Sequence, residues 1–198
     1  MTNDEGRSTR ILVAVPIVVV VAADALYVAI VVNQDPKPPE LFTFPFITAY
    51  LALMAVLLLV SLMPWWSTAV RTALRAAATG GLLLLGVFAL MSIGLALLIA
   101  GAMAAAATVR TMQGHMFRRS SLVGAASATI AVAVLIAGFE ITGRMIVCPA
   151  SGSMSGGGSA FLTGPYYYDC VNGHLNFHSG SCNSDAIDEN GNVTHPGC

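Results

Sequence analysis

Residues 80–107 read GGLLLLGVFALMSIGLALLIAGAMAAAA, an apolar run of 28 residues without a charged side chain. As one helix the run would be about 42 Å long, whereas the hydrocarbon core of a bilayer is only about 30 Å thick. Ser92-Ile93-Gly94 interrupts the run near its middle. The run therefore predicts two helices, Gly80–Met91 and Leu95–Ala107, that form a re-entrant or tight hairpin. One continuous, tilted span is the alternative.

The composition of the whole chain places this run in a membrane protein. Hydrophobic residues make up 56% of the 198 residues and charged residues 10%, which is outside the range of soluble globular domains. Three further apolar segments, Ile11–Val32, Phe46–Met63 and Leu122–Val147, are long enough to span a bilayer. We therefore predict an all-α integral membrane protein with three spanning helices and the hairpin, or with four spans if the run is continuous.

The first apolar segment has two interpretations. Ala23-Asp24-Ala25 has the small-x-small form of a signal-peptide cleavage site. The apolar core of a signal peptide is short, however, and here the apolar run continues through Val32. We expect an uncleaved membrane anchor.

The basic residues indicate the topology. Four spans would leave arginines on both sides of the membrane, contrary to the tendency of Lys and Arg to stay inside. With a hairpin, only Lys37 and Arg144 lie outside. Seven arginines then lie inside: Arg7, Arg10, Arg71, Arg75, Arg110, Arg118 and Arg119. This arrangement predicts a cytoplasmic N-terminal tail (residues 1–10), a helical membrane domain (residues 11–147) and an exported C-terminal tail.

The ratio of arginine to lysine also suggests the kind of organism from which the protein comes. Eight arginines to one lysine, with abundant Ala, Val and Gly, is typical of a GC-rich bacterial genome. The expected location is the bacterial cytoplasmic membrane.

The segment Trp65–Thr79 has apolar residues at helical spacing, while Arg71 and Arg75 stand one turn apart on another face. This pattern predicts a short helix lying in the membrane interface. A basic patch that recruits a partner or anionic lipid is the alternative. An interfacial aromatic belt is predicted from Phe42, Phe44, Phe46, Tyr50, Trp65 and Trp66.

Three ionisable residues lie within or at the edge of the apolar segments: Asp24, Glu140 and Arg144. A charge at that depth is expected to have a partner or a wet cavity. Glu140 and Arg144 are one helical turn apart, so we expect Arg144 to neutralise Glu140 and to fix helix packing. A proton or ion relay through Asp24 and Glu140 is the alternative.

The C-terminal tail differs in character from the rest of the chain. It contains all four cysteines, Cys148, Cys170, Cys182 and Cys198. About 50 residues cannot bury a large core, so we expect disulfides, of which four cysteines allow three pairings. Residues 148–160 are predicted to be a flexible Gly/Ser linker and residues 161–198 a disulfide-stabilised module. A hairpin is expected between Ala186-Ile187 and Val193-Thr194.

A metal site is the alternative use of the cysteines. Cys170, His174, His178 and Cys182 recur every four residues, and two thiolates with two imidazoles form a common zinc site. That spacing brings the four side chains together only on a helix, and Asn172-Gly173 indicates a turn instead. We therefore expect no metal.

The stretch Gly80–Gly94, followed by Leu95–Met103, resembles a segment common in small actinobacterial multi-span membrane proteins of unassigned function. The resemblance covers less than a sixth of the chain. It implies a multi-span membrane protein and no particular activity.

Motifs of several enzyme classes are missing from the sequence. No two cysteines form a Cys-x-x-Cys pair, none of the four histidines lies in an apolar segment, and there is no Walker loop or nucleophile elbow. No basic domain suggests nucleic-acid binding. We expect no enzymatic activity and no cofactor.

The expected function is that of an envelope or interaction protein that displays the tail. Its expected partners are the lipid bilayer and either a second copy of the chain or an envelope protein. A small pore or transporter subunit that uses Asp24 and Glu140 is the alternative.

Overall fold

The computed structural model describes residues 3–33, 42–90, 92–112, 117–180, 186–187 and 193–194. In these residues, five helices precede five strands: α1 (Asn3–Val32), α2 (Thr43–Val60), α3 (Thr68–Phe88), α4 (Gly94–Met112), α5 (Phe117–Thr142), β1 (Ser153–Ala160), β2 (Gly164–Val171), β3 (His174–Ser179), β4 (Ala186–Ile187) and β5 (Val193–Thr194). Helices α1, α2, α3 and α5 are long and apolar enough to cross a membrane, and Gly94–Arg110 of α4 is a shorter apolar helix. The predicted class, a mostly helical membrane protein with a small cysteine-containing tail, is confirmed.

The chain divides into two compact units. The helical unit comprises Met1–Pro36 and Phe44–Ala137, and the tail unit comprises Lys37–Thr43 and Gly138–Cys198. The last turn of α5 therefore belongs to the tail unit, whereas the sequence predicts a boundary at residue 148.

The apolar run 80–107 is bent at the predicted place, and the continuous span is wrong. Helix α3 ends at Phe88 and α4 begins at Gly94. The carbonyl oxygen of Ala89 accepts hydrogen bonds from the amide groups of Ser92 and Gly94, each at 2.8 Å. A Cβ atom at residue 94 would lie 2.6 Å from that oxygen, so glycine is needed for this tight turn.

Both arms of the hairpin are longer than the sequence predicts. Helix α3 begins at Thr68, where the Ser67 hydroxyl accepts a hydrogen bond from the amide of Val70 at 3.5 Å. The prediction of a separate interfacial helix over Trp65–Thr79 is therefore wrong, since most of that segment forms the first half of α3. With 21 and 19 residues, the arms are about 31 and 28 Å long. Each arm approaches the thickness of a hydrocarbon core, about 30 Å.

Helix α4 packs against both α3 and α1. Its buried positions are mostly small, and they are Gly94, Leu97, Ala100, Gly101, Ala104, Ala107 and Thr108. A Cβ atom at Gly101 would lie 2.8 Å from the side chain of Leu83 on α3. Small residues let helices approach closely where lipid offers no hydrophobic driving force.

Helix α2 uses an aromatic residue for packing. Tyr50, predicted to belong to the interfacial belt, is only 3% exposed. Its hydroxyl donates a hydrogen bond to the carbonyl oxygen of Ala131 on α5 at 2.9 Å. Trp65 is 87% exposed, as a belt residue should be.

The tail unit contains a three-stranded antiparallel sheet in the order β1-β2-β3. The predicted flexible linker at residues 148–160 is wrong for Ser153–Ala160, which is strand β1 and pairs with β2 along its full length. The predicted hairpin between Ala186-Ile187 and Val193-Thr194 is confirmed, because β4 and β5 pair antiparallel.

The glycines of β1 have a packing role that composition alone does not show. Gly156 pairs with Tyr168, and Gly158 pairs with Tyr166. A Cβ atom would lie 2.5 Å from the Tyr168 hydroxyl in the first pair and 2.7 Å from the Tyr166 hydroxyl in the second. The tyrosine rings thus lie across the glycines, and this cross-strand packing stabilises the pairing of the glycine-rich strand β1 with β2.

Candidate functional site

The charged residues near the end of α5 form the first candidate site. Nη2 of Arg144 lies 3.1 Å from Oε1 of Glu140, one helical turn earlier. The Glu140 side chain is 12% exposed and that of Arg144 is 44% exposed. The predicted pairing of these residues is present in the structure.

The turn between β1 and β2 completes this cluster. The Thr163 hydroxyl donates a hydrogen bond to Oε1 of Glu140 and accepts one from Nη2 of Arg144 at 2.5 Å. The amide of Leu162 donates to the other carboxylate oxygen, Oε2, at 3.4 Å. A hydroxyl can donate once and accept twice, so Thr163 satisfies both charged partners together. We call Glu140, Arg144 and Thr163 the α5 cluster.

Two further links join the end of α5 to the sheet. The Tyr166 hydroxyl donates a hydrogen bond to the carbonyl oxygen of Gly143 at 3.2 Å. Carbonyls at a helix end have no partner within the helix, so this bond satisfies one of them. Cys148, just past the helix, forms a disulfide with Cys170 on β2, with an Sγ–Sγ distance of 2.02 Å.

The disulfide bears on the zinc alternative for the cysteines. Cys170 cannot be a zinc thiolate while it is bonded to Cys148, and His174 and His178 lie on strand β3 rather than on a helix. Among the described residues, no group of three or more His, Cys, Asp and Glu side chains is placed to hold a metal ion. Cys182 and Cys198, also predicted to form disulfides, lie outside the described residues.

One face of the sheet is polar and open. Residues paired across an antiparallel sheet point to the same side, and the pairs Asp169–Asn176 and Tyr167–His178 therefore share one face. The Tyr167 hydroxyl donates a hydrogen bond to Oδ1 of Asp169 at 2.8 Å, while Asn176 and His178 are exposed. We call this side the polar face. Its polar residues are Ser153, Ser155, Ser159, Tyr167, Asp169, His174, Asn176 and His178, and Gly157, Pro165 and Val171 lie on it as well.

Asp24 belongs to the helical unit. It lies on α1, and its Oδ1 atom is buried without a hydrogen-bond partner among the described residues. A buried polar atom without a partner is costly. The structure brings together Glu140 and Arg144 of the predicted charged cluster, and Asp24 belongs to the other compact unit.

Arg71 and Arg75 have a role that the sequence did not indicate. Nε of Arg71 donates a hydrogen bond to the carbonyl oxygen of Ser61 at 3.0 Å, and Nε of Arg75 donates to the Ser61 hydroxyl at 3.2 Å. Nη2 of Arg75 also lies 3.5 Å from the Ser61 carbonyl. Ser61 directly follows α2, so the two cations lie at the negative end of that helix dipole.

The burial of Arg75 argues against a role in recruiting ligands. The residue is 1% exposed, so it cannot contribute to the basic patch that was the alternative interpretation of this segment. The spacing of Arg71 and Arg75 correctly placed both on one face of a helix, but the partner at Ser61 lies 14 residues from Arg75. No local pattern identifies such a partner.

An apolar cleft of about 240 Å³ lies beside α2 in the helical unit. Its two polar lining residues are Tyr50 and Ser127, and both hydroxyls already donate to backbone carbonyls. The cleft therefore suits an apolar chain and offers no group for catalysis.

Comparison of this chain with protein families, with curated proteins and with solved structures finds no match. The class of the protein, a helical membrane protein with a disulfide-bonded β-sheet in its tail, follows from the sequence and the structure alone.

Proposed function

We propose that this protein is a non-enzymatic component of the bacterial cell envelope that holds its tail sheet outside the cytoplasmic membrane for binding to an envelope protein or to a second copy of the chain. The observation that carries the proposal is the attachment of the sheet to the end of α5. Strand β2 is linked near its start through Tyr166 and near its end through Cys170. Attachment at both ends of the central strand fixes the sheet to the segment that ends and follows α5.

The helix count supports an exported tail. Because α4 packs back along α3, the hairpin returns the chain to the side of the membrane from which it came. If α1, α2 and α5 each cross, the N-terminus and the tail lie on opposite sides. This holds whether both arms of the hairpin cross or neither does. All arginines of the chain except Arg144 then share the side of the N-terminus, as the positive-inside rule favours. The disulfide lies on the other side, in an oxidising space.

Cysteine labelling tests the topology. Single cysteines at Ser8, Thr72, Gln113 and Ser153, in a background without native cysteines, are expected to react with an impermeant reagent from outside only at Ser153. Labelling of Gln113 from outside with protection of Ser8 and Thr72 would place the tail in the cytosol.

Site-specific crosslinking tests the display function. A photo-reactive residue at Asn176, on the polar face, is expected to give a discrete crosslinked product in cells. The matched position is Leu175, the neighbouring residue on the other face of β3. Equal crosslinking at both positions, or at neither, would contradict a partner bound to the polar face.

The buried Oδ1 atom of Asp24 favours a second candidate, a small pore or transporter subunit. Ionisable side chains within membrane-spanning helices are rare, and they often mark proton or ion pathways. Protein reconstituted in liposomes would then conduct protons or ions, and Asp24→Asn would abolish the flux. Absence of flux above that of protein-free liposomes would reject this candidate and leave the display function untouched.

A further inference from the structure

The turn between β1 and β2 carries two exposed apolar side chains. Phe161 is 59% exposed and Leu162 is 75% exposed. Turns of this kind usually contain Gly, Pro, Asn, Asp or Ser, because these residues suit the backbone and remain in water. The exposed surface of two large apolar side chains at a turn tip is unfavourable in water and favours an apolar environment.

The position of the turn identifies that neighbour. The amide of Leu162 and the hydroxyl of Thr163 both donate to the carboxylate of Glu140. Glu140 lies two residues before the end of the apolar span Leu122–Thr142, or roughly 3 Å along the helix axis. The turn is thus held beside the end of a membrane span, at the level where hydrocarbon gives way to headgroups.

Arg144, which is paired with Glu140, is the basic residue that binds the turn, and exposed residues of the adjoining chain are apolar. Ile141, Met145 and Val147, which end α5 and follow it, are 56%, 45% and 48% exposed. No Lys or Arg follows Arg144 in the chain, so the tail has no basic cluster with which to bind anionic headgroups. These features favour burial of apolar side chains in lipid over electrostatic adsorption.

We propose that Phe161 and Leu162 insert into the lipid of the membrane leaflet next to the C-terminal end of α5 and so hold the sheet against the bilayer surface. The insertion requires only that α5 spans the membrane. It is independent of the side on which the tail lies and of any protein partner, so it can fail or succeed separately from the proposed function.

Tryptophan fluorescence with brominated lipids tests the insertion. The full chain carries Trp65→Phe and Trp66→Phe, so that Phe161→Trp supplies the single tryptophan, and it is reconstituted in phosphatidylcholine vesicles. Lipids brominated near the headgroup are expected to quench this tryptophan several-fold more than lipids brominated near the chain end. The matched control is Asn176→Trp in the same background, which is expected to show little quenching by either lipid.

Three results would overturn the proposal. The first is quenching at residue 161 no greater than at residue 176, in protein whose Cys148–Cys170 disulfide is shown intact by mass spectrometry. The second is a blue-shifted emission without lipid quenching, which would show that protein, such as a second copy of the chain, covers the turn. The third is quenching that requires phosphatidylglycerol, which would show electrostatic adsorption. Leu162→Trp repeats the measurement where Phe161→Trp disturbs folding.

Discussion

The helical unit and the tail unit satisfy their buried polar groups by different means. In the helical unit, Arg71 and Arg75 bind Ser61 at the end of α2, the Tyr50 hydroxyl binds the carbonyl of Ala131, and small residues such as Gly101 allow close helix contacts. In the tail unit, a disulfide and the α5 cluster connect the sheet to the end of α5. One unit relies on packing of long helices, and the other on a few specific links.

The difference follows from size and shape. Helices of 18 to 30 residues satisfy their own backbone hydrogen bonds and need partners only at their ends. A small sheet with few buried side chains has little apolar surface to remove from water. The tail unit should therefore be sensitive to the loss of single links, while the helical unit should be sensitive to changes at buried ends and close contacts.

The largest expected effect is loss of the disulfide. The Cys148–Cys170 bond joins residues separated by 22 positions, and its removal should lower the free energy of unfolding of the tail unit by about 3 kcal/mol. Proteolysis followed by mass spectrometry should show new cleavage within residues 153–180 after reduction or in Cys148→Ala. The helical unit, which contains no cysteine, supplies the internal control. Unchanged cleavage of the tail would show that packing alone holds the sheet.

Alkylation of the intact protein tests the two cysteines that lie outside the described residues. If Cys182 and Cys198 are also oxidised, protein with its thiols blocked at lysis should take up no alkylating agent before reduction and four equivalents afterwards. Two thiols reactive without reduction would limit the covalent links to the Cys148–Cys170 bond.

The second effect concerns the buried arginine of the helical unit. Arg75→Leu removes charged hydrogen bonds to Ser61 and should lower the free energy of unfolding in detergent by about 2 kcal/mol. Arg71→Leu is the matched variant and should cost less, because Arg71 is only partly buried. Equal losses would show that burial does not distinguish the two arginines and would weaken the contrast between the units.

The third effect concerns the glycines of β1. Gly158→Ala places a methyl group against the ring of Tyr166 and should destabilise the sheet by about 1–2 kcal/mol, as overpacking does. Ser159→Ala, at the next and exposed position of the same strand, should have little effect. The rate at which a reductant opens the Cys148–Cys170 disulfide reports the change. If Gly158→Ala leaves the rate of reduction unchanged, β1 behaves as the flexible linker that its composition suggests.

The smallest expected effect concerns the α5 cluster, because Arg144 is partly exposed and solvent weakens its interactions. Arg144→Leu should lower the thermal midpoint in detergent slightly, since Thr163 and the Leu162 amide still bind Glu140. Adding Glu140→Gln should recover part of the loss, and Thr163→Val should act non-additively with Arg144→Leu. Additive shifts of the thermal midpoint in both double variants would show that the α5 cluster does not help to hold the sheet.

Local patterns in the sequence were sufficient for much of the fold. The Ser92-Ile93-Gly94 interruption indicated the bend of the hairpin, and the turn residues after Ile187 indicated the pairing of β4 with β5. The one-turn spacing of Glu140 and Arg144 indicated their ion pair. Each of these features depends on residues that are close together in the chain.

Other expectations from the sequence were wrong where distant residues determine the outcome. Composition predicted a linker at residues 153–160, but the tyrosines of β2 convert that segment into a strand. The apolar spacing within Trp65–Thr79 predicts a separate interfacial helix, but the segment from Thr68 belongs to α3, and Ser61 at the end of α2 binds Arg75 in the interior. The tyrosines of β2 and the end of α2 both lie outside the short stretches of sequence on which these predictions depend.

By itself the sequence determined the membrane class, the apolar segments and the bend, because hydrophobicity, length and backbone preference are properties of consecutive residues. Only the tertiary structure decided which polar groups meet: Arg75 with Ser61, Thr163 with Glu140, and Cys148 with Cys170 among three available pairings. The physical reason is that a hydrogen bond, ion pair or disulfide forms only at contact distance. The fold, rather than the order of residues, brings these distant side chains together.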